Sequence, residues 1–317
     1  MLMTEQAGNI KQGFLWKQEH LAPLPIPTGQ PASDLMNIIW RKNQAFLDIG
    51  SFAMGAGWLT LHCLTFVFIS SAAYVAWYTG DYWAGLTILA LFGGGLMGTL
   101  WYFFIKQWRK PLLPPIRFNR QRREVCITKP DGSYWFVPWE KVHAIAPSVT
   151  SLNTGGATRH GSLLLWFPLK GLEHKAYAPD VKGWILMVNP GGGISSMAQW
   201  ECIRSYMEIS PDVVPEASVF RHRDMSIWQS YVFDVKQAAK DRGWLLALVW
   251  DAFLGEIIFN SILYDYFLRK KMVVVPDLTA PEVIEWSKPL APVQWAKRSS
   301  ELEQAIRQRE AELASLA

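Results

Sequence analysis

The residue types that perform chemistry are present in this chain, but their spacing suits none of the common reactions. Asn189-Pro190-Gly191-Gly192-Gly193-Ile194-Ser195-Ser196 is a glycine-rich loop that could receive an anion at a helix N-terminus. It lacks the Lys-Ser/Thr ending of a phosphate-binding loop, so a plain strand-to-helix turn is the favoured reading. Gly193-Ile194-Ser195 lacks the second glycine of a nucleophile elbow. His143, His160, His174 and His222 are scattered, without the HExxH or paired spacing that holds a metal. Cys63, Cys126 and Cys202 show no CxxC or CxxH pattern and read as small packed residues. No paired carboxylates stand out, so the expectation is a protein that is not an enzyme, with no cofactor and no metal.

Two features remain, and both belong to a membrane. The first is His62, the one histidine between Asp48 and Asp81, a stretch without Asp, Glu, Lys or Arg. An ionisable residue inside a bilayer is a functional candidate by default. It has no carboxylate partner in the sequence, which argues against a proton relay. The second is a run of seven cations, Lys106, Arg109, Lys110, Arg117, Arg120, Arg122 and Arg123, with no acid among them before Glu124. Beside an anionic leaflet each contributes on the order of 1 kcal/mol, so the cluster would fix topology and hold a soluble domain to the surface. Nucleic-acid binding would need such residues interleaved with aromatics on a soluble face, and none is expected.

The elements that must position these groups are two apolar helices. Charge is absent between Asp48 and Asp81, and again between Asp81 and Lys106. Each gap holds about 20 apolar residues, enough to cross roughly 30 Å of hydrocarbon. The spans fall near residues 57–78 and 83–105, joined by Thr79-Gly80-Asp81-Tyr82 as a tight antiparallel turn. Trp58, Trp77, Tyr78, Tyr82, Trp83, Trp101, Tyr102 and Trp108 mark the ends as interface anchors do. Arg41 and Lys42 precede the first span and the basic run follows the second, so both termini should be cytoplasmic. Gly94 and Gly98 have the spacing that lets helices approach closely, and Ser70, Ser71, Ala72 and Ala73 offer a matching surface. Packing within the hairpin is the first reading; an oligomer through the hairpin is the other.

The rest of the 317 residues is more polar, which dilutes the mean hydropathy to +0.07. Residues 1–48 read as a cytosolic arm and short helix: Pro23, Pro25, Pro27 and Pro31 impose an extended stretch. That stretch either crosses a domain surface or serves as a partner ligand. Ser33 or Asp34 can cap a helix running through Trp40 and Phe46 toward the membrane. The polar arm before the first span excludes a cleavable signal peptide.

After Pro111, Pro114 and Pro115, short strands are expected at 116–118, 124–128, 134–137, 163–167 and 184–188, with Lys129-Pro130-Asp131-Gly132 as a turn. Ser196 and Gln199 match a capping box for a helix ending before Pro211, whose Trp200, Ile203 and Met207 should cover the sheet. Residues 211–317 form a helical region. Within it, 244–268 is apolar yet carries Asp251, Glu256, Asn260 and Asp265, so a cytosolic helix is favoured over a third span. Val273-Val274-Val275 reads as a strand, Pro281 to Trp286 as a turn of helix, and Ser300 with Glu303 as the cap of a last helix striped by Leu302, Ile306, Arg309, Leu313 and Leu316.

The stretch PIRFNRQRREVCITKPDGSYWFVPWEKVHAI resembles the start of the pleckstrin-homology-like (PH-like) domain of bacterial membrane proteins, through Ile116, Phe118, Asn119, Arg120, Gly132, Val137, Pro138, Trp139 and Val142. The resemblance covers residues 111 to about 210. The whole layout is similar to a proteobacterial inner-membrane family often encoded beside type VI secretion toxins. It implies an α+β membrane protein: a two-helix transmembrane hairpin (49–108), a PH-like antiparallel sheet closed by a helix (111–210) and C-terminal helices. It further implies a multi-pass protein of the bacterial inner membrane whose partners are membrane lipids and a protein toxin or secretion-associated protein. An immunity protein is the first functional expectation, and a membrane-tethered scaffold or lipid-sensing adaptor the alternative.

Overall fold

The computed structural model describes residues 7–50, 54–129, 131–153, 156–169, 183–191, 193–217 and 225–316. In chain order the strands are β1 (Ile10–Gln12), β2 (Trp16–Ala22), β3 (Ile39–Lys42), β4 (Phe46–Ile49), β5 (Ile116–Asn119), β6 (Glu124–Thr128), β7 (Tyr134–Pro138), β8 (His143–Asn153), β9 (Gly156–Gly161), β10 (Leu163–Pro168) and β11 (Gly183–Val188). The helices are α1 (Gly55–Thr79), α2 (Tyr82–Arg109), α3 (Gly193–Glu208), α4 (Ile227–Arg242), α5 (244–257), α6 (Ser261–Met272), α7 (Pro281–Trp286) and α8 (Ser300–Leu316). The protein is thus mixed α and β, with two long apolar helices, antiparallel sheets and C-terminal helices. It divides into an α+β unit (1–51, 113–219 and 276–317) and a helical unit (52–112 and 220–275).

The α+β unit contains two antiparallel sheets. One has the order β1-β2-β8-β10-β11 with β9 on β8, and the other runs β3-β4-β5-β6-β7. Their shared core includes Leu47, Phe118, Val137, Trp139, Leu165 and Phe167, closed by Trp200, Ile203 and Met207 of α3. Strands 5, 6, 7, 10 and 11 fall where alternation and the 129–132 turn place them, and Gly132 takes φ +81° as that turn requires. Two expectations fail here. Trp40 and Phe46 lie in β3 and β4, not in a helix: β-branched and aromatic side chains suit a pleated, buried surface. Asp34 does accept two successive backbone N–H groups, those of Ile38 and Ile39 at 3.0 Å, but the turn it fixes leads into a strand. Gln199 is no capping residue either: its amide bonds Asp34 Oδ1 and accepts from the Met36 N–H.

The 49–108 insertion interrupts a β-hairpin. β4 ends at Ile49, β5 begins at Ile116, and those two residues are direct antiparallel partners. Residues 276–317 return to the same unit, so the expected helical region 211–317 is split between both units. Val273 to Val275 form no strand. Leu278 and Val283 cover the outer face of the second sheet with Cys126, whose thiol burial pushes up to about 12. The proline-rich stretch is also covered: Thr28 donates to Glu201 of α3, and Pro27 O accepts from Arg309 of α8. The last helix is capped by Ser299 Oγ, one residue before the expected Ser300.

In the helical unit α1 stops at Gly80 (φ +67°), and Asp81 Oδ1 caps α2 through the N–H groups of Trp83 and Ala84. Over Leu89–Met97, which holds the Gly93-Gly94-Gly95 run, α2 widens to π-type turns. The apolar 244–268 segment breaks at Asn260, whose φ is +48°. The run 244–257 therefore extends roughly 21 Å, too short to cross a bilayer. Its acids are answered locally, Asp251 by Arg242 at 2.7 Å, Asp265 by Arg269 at 2.8 Å, and Glu256 by the Ser261 hydroxyl.

The expected glycine contact is elsewhere. A methyl group on Gly94 or Gly98 would meet nothing within 4 Å, whereas one on Gly85 would stand 2.8 Å from both the Ala72 carbonyl and the Ala76 Cβ. Gly85→Val should therefore destabilise the hairpin by about 1–3 kcal/mol, and Gly94→Ala with Gly98→Ala should leave the monomer unchanged. Thermal unfolding of the detergent-purified variants measures both.

Candidate functional site

The helical unit contains an aromatic cavity of about 370 Å³. α1 contributes Trp58 and His62 with Met54 just before it; α2 contributes Trp101, Phe104, Ile105, Trp108 and Arg109; α6 contributes Leu263, Tyr264 and Phe267. Their positions follow from helical spacing. Trp58 and His62, like Trp101, Ile105 and Trp108, stand three or four residues apart and so share a face. The Trp58 ring packs at 5.6 Å from Trp101, 6.1 Å from Phe104, 5.9 Å from Tyr264 and 5.9 Å from Phe267. The indole N–H groups are used elsewhere: Trp58 donates to Phe259 O at 2.8 Å and Trp101 to Thr65 Oγ1 at 3.1 Å. Trp58 and Trp101 therefore present ring surface rather than donors. His62 Nδ1 donates to Trp58 O at 3.0 Å, and its ring lies 4.9 Å from that of Trp101.

The seven cations of the basic run are divided between the two units. Lys106, Arg109 and Lys110 sit exposed at the end of α2 in the helical unit. The four arginines lie in the α+β unit, and two are in its interior. Arg117, on β5, gives Nε and Nη2 to Asp48 at 2.6 and 2.7 Å, Nη2 to Asp277 at 2.7 Å and Nη1 to Ser287 Oγ at 2.9 Å. Against the pull of burial, Asp48 and Asp277 raise its already high proton affinity. Arg123 is buried with Glu208, which it meets at 2.8 and 3.2 Å, and with Glu140 at 3.1 Å. Arg120 donates to Ile209 O over the Trp295 ring, and Arg122 to Trp286 O. Reading the run as a membrane-facing cluster is therefore corrected for Arg117 and Arg123. An unpaired guanidinium in a core would be prohibitive, and their partner acids are far away in the sequence.

Glu208 is fully buried and also accepts from Trp139 Nε1 at 2.6 Å and Arg298 Nε at 2.6 Å. Burial alone would raise its pKa, but the hydrogen bonds and charge of Arg123, with Trp139 and Arg298, hold it below the ordinary carboxylate range. Burial, followed by the charges of His20 and Lys141, pushes His143 down to about 4. His143 lies against Trp166 inside the unit, and His160 is on β9. His174 and His222 fall outside the described residues. Among the described residues no three His, Cys, Asp or Glu side chains are placed to hold a metal ion. The glycine-rich loop runs from β11 into α3, and Ser196 Oγ contacts Gly191 O at 3.4 Å.

What the helical unit offers is an apolar, ring-lined cavity with the Arg109 cation among its lining residues. Sequence reasoning named Trp58, Trp101 and Trp108 as interface anchors, not as walls facing one another. The missing signal was α6, whose Tyr264 and Phe267 share a helical face.

Two outcomes test the buried charges. Arg117→Met or Asp48→Leu alone should cost about 3–5 kcal/mol of unfolding free energy, and the double variant should recover most of it. His143 has a folded pKa below its unfolded 6.5, so the unfolded chain binds the extra proton. Stability should fall as pH drops from 6.5 toward 4, by on the order of 3 kcal/mol, and His143→Gln should flatten that slope in denaturant titrations at pH 7.5 and 5. In comparison with known proteins, no family model matches the chain, nor does any curated protein or solved structure.

Proposed function

We propose that this chain is a non-enzymatic interaction protein of the bacterial inner membrane, anchored by the α1–α2 hairpin with both termini in the cytosol. The observation that carries the reading is the exposure of its apolar helices. Within the hydrophobic windows of Gly55–Thr79 and Tyr82–Arg109 only 11% and 6% of residues are buried. In water such helices would leave a large apolar surface uncovered, while their lengths of roughly 37 and 42 Å are ample for a hydrocarbon core of about 30 Å. The pairing of Ile49 with Ile116 supports one side for both ends of the hairpin, since a single sheet receives the chain before and after it. The exposed cations Lys106, Arg109 and Lys110 support that side as the cytosol.

The cytosolic body is of PH-like type in this reading. Its support is two antiparallel sheets, completed after the hairpin by β5 to β11 and closed by α3, together with the sequence resemblance at Ile116 to Val142. β1 to β4 of the arm are additions to that plan. The family resemblance supports the role of an immunity protein, neutralising a membrane-acting type VI secretion toxin where it works. A neutraliser with helices in the bilayer meets such a toxin at its target. The scaffold or lipid-sensing alternative loses support from the basic run, because Arg117 and Arg123 are occupied internally.

Three measurements test this reading. Alkaline extraction should leave the protein in the vesicle pellet, and a cytosol-dependent reporter fused at Ala317 should be active. A cysteine placed at Asp81 should react with a membrane-impermeant maleimide from the periplasm. Co-expression with a toxin encoded beside the gene should restore growth; unchanged killing removes the immunity role while leaving the topology standing.

A further inference from the structure

We infer that the aromatic cavity of the helical unit holds one acyl chain of an anionic glycerophospholipid, with the headgroup phosphate on Arg109. The inference rests on the membrane reading above, since the cavity meets that ligand only in a bilayer. At about 370 Å³ the space lies at the lower end of ligand cavities, which run from about 300 to 1,000 Å³. Its walls are suited to a hydrocarbon: the N–H groups of Trp58 and Trp101 are already bonded to Phe259 O and Thr65 Oγ1, leaving their rings as surface. A chain lying there would follow α1 from Met54 to His62 and α2 from Arg109 to Trp101, about two helical turns on each.

Charge selects the headgroup. Arg109 lines the cavity, is exposed, and its side chain has no hydrogen bond or ion pair among the described residues. Lys106 and Lys110 stand on the same helix end. The carboxylate on the neighbouring helix, Asp265, is already neutralised by Arg269. Lys271 binds the carbonyls of Trp108 and Lys110 and lies 5.4 Å over the Trp108 ring, which ties α6 to α2 and adds positive potential without competing for Arg109. A guanidinium beside an apolar slot matches a phosphodiester attached to an acyl chain.

Native mass spectrometry of the full chain in detergent, titrated with phosphatidylglycerol or phosphatidylcholine, tests this. One phosphatidylglycerol should be retained per chain, at least about fivefold more tightly than phosphatidylcholine. Arg109→Gln should abolish the preference, and Leu263→Trp, which fills the cavity, should abolish retention of both, with circular dichroism confirming folded variants. Equal retention of the two lipids by the wild type, retention insensitive to both variants, or a lipid-free wild type overturns the proposal. A lipid-free species with the mass of two chains assigns the cavity to a second copy and overturns it as well. Alkaline extraction of the same preparation separates the causes: a chain stripped from vesicles sinks the membrane reading, and one that stays in the pellet without lipid sinks only the cavity assignment.

Discussion

The buried ion pair of Asp48 with Arg117 locks β4 against β5 and so closes the interrupted sheet. The two residues face each other across the β4–β5 ladder, directly beside the pair Ile49–Ile116, and between them in sequence lies the whole apolar hairpin. Burying both charges is costly, and the bidentate geometry offsets that cost only while the strands stay in register. The same carboxylate accepts from Arg41 of β3, which also donates to Pro276 O and meets Asp277. Lys42 holds the carbonyls of Pro211 and Val214. One corner of the second sheet therefore gathers the chain where it leaves for each insertion and where it returns from each.

A second buried centre does the same for the C-terminal segment. Glu208, at the end of α3, is shared by Arg123, Arg298 and Trp139. Residues 277–298 are thereby bound to the sheet on both sides of α7. Trp286 O accepts from Asn119 and Arg122, its indole donates to Glu124, and Gln121 bonds the backbone of Leu290 and Ala296. The short segment after the second insertion is therefore a structural part of the sheet rather than a linker.

Local patterns made part of this legible. The two long helices appear as gaps in charge, and β5 to β7 as alternating residues around a turn with Gly132 in its required conformation. The arm before the hairpin was not legible, because its strands find partners far along the chain: β2 pairs with β8, and β4 with β5. Asp34 illustrates the ambiguity, since a side chain accepting two successive N–H groups serves a turn into a strand as well as a helix start. The arginines were legible as charge but not as location. Arg117 and Arg123 become interior residues only through Asp48 and Glu208, 69 and 85 positions away. The cavity needed three helices at once, and the break at Asn260 that delivers the third has no glycine or proline to announce it.

The interrupted sheet also governs the order of biogenesis. β4 leaves the ribosome before its partner β5, which cannot follow until both apolar helices have been made. β2 waits longer still, for β8, and the sheet corner closes only when residues 276–298 arrive. The α+β unit therefore cannot close before the apolar helices have been synthesised, and a chain in which they keep β4 from β5 is left with bare strand edges that invite aggregation and proteolysis. Completion of the sheet thus reports that the whole hairpin has been made.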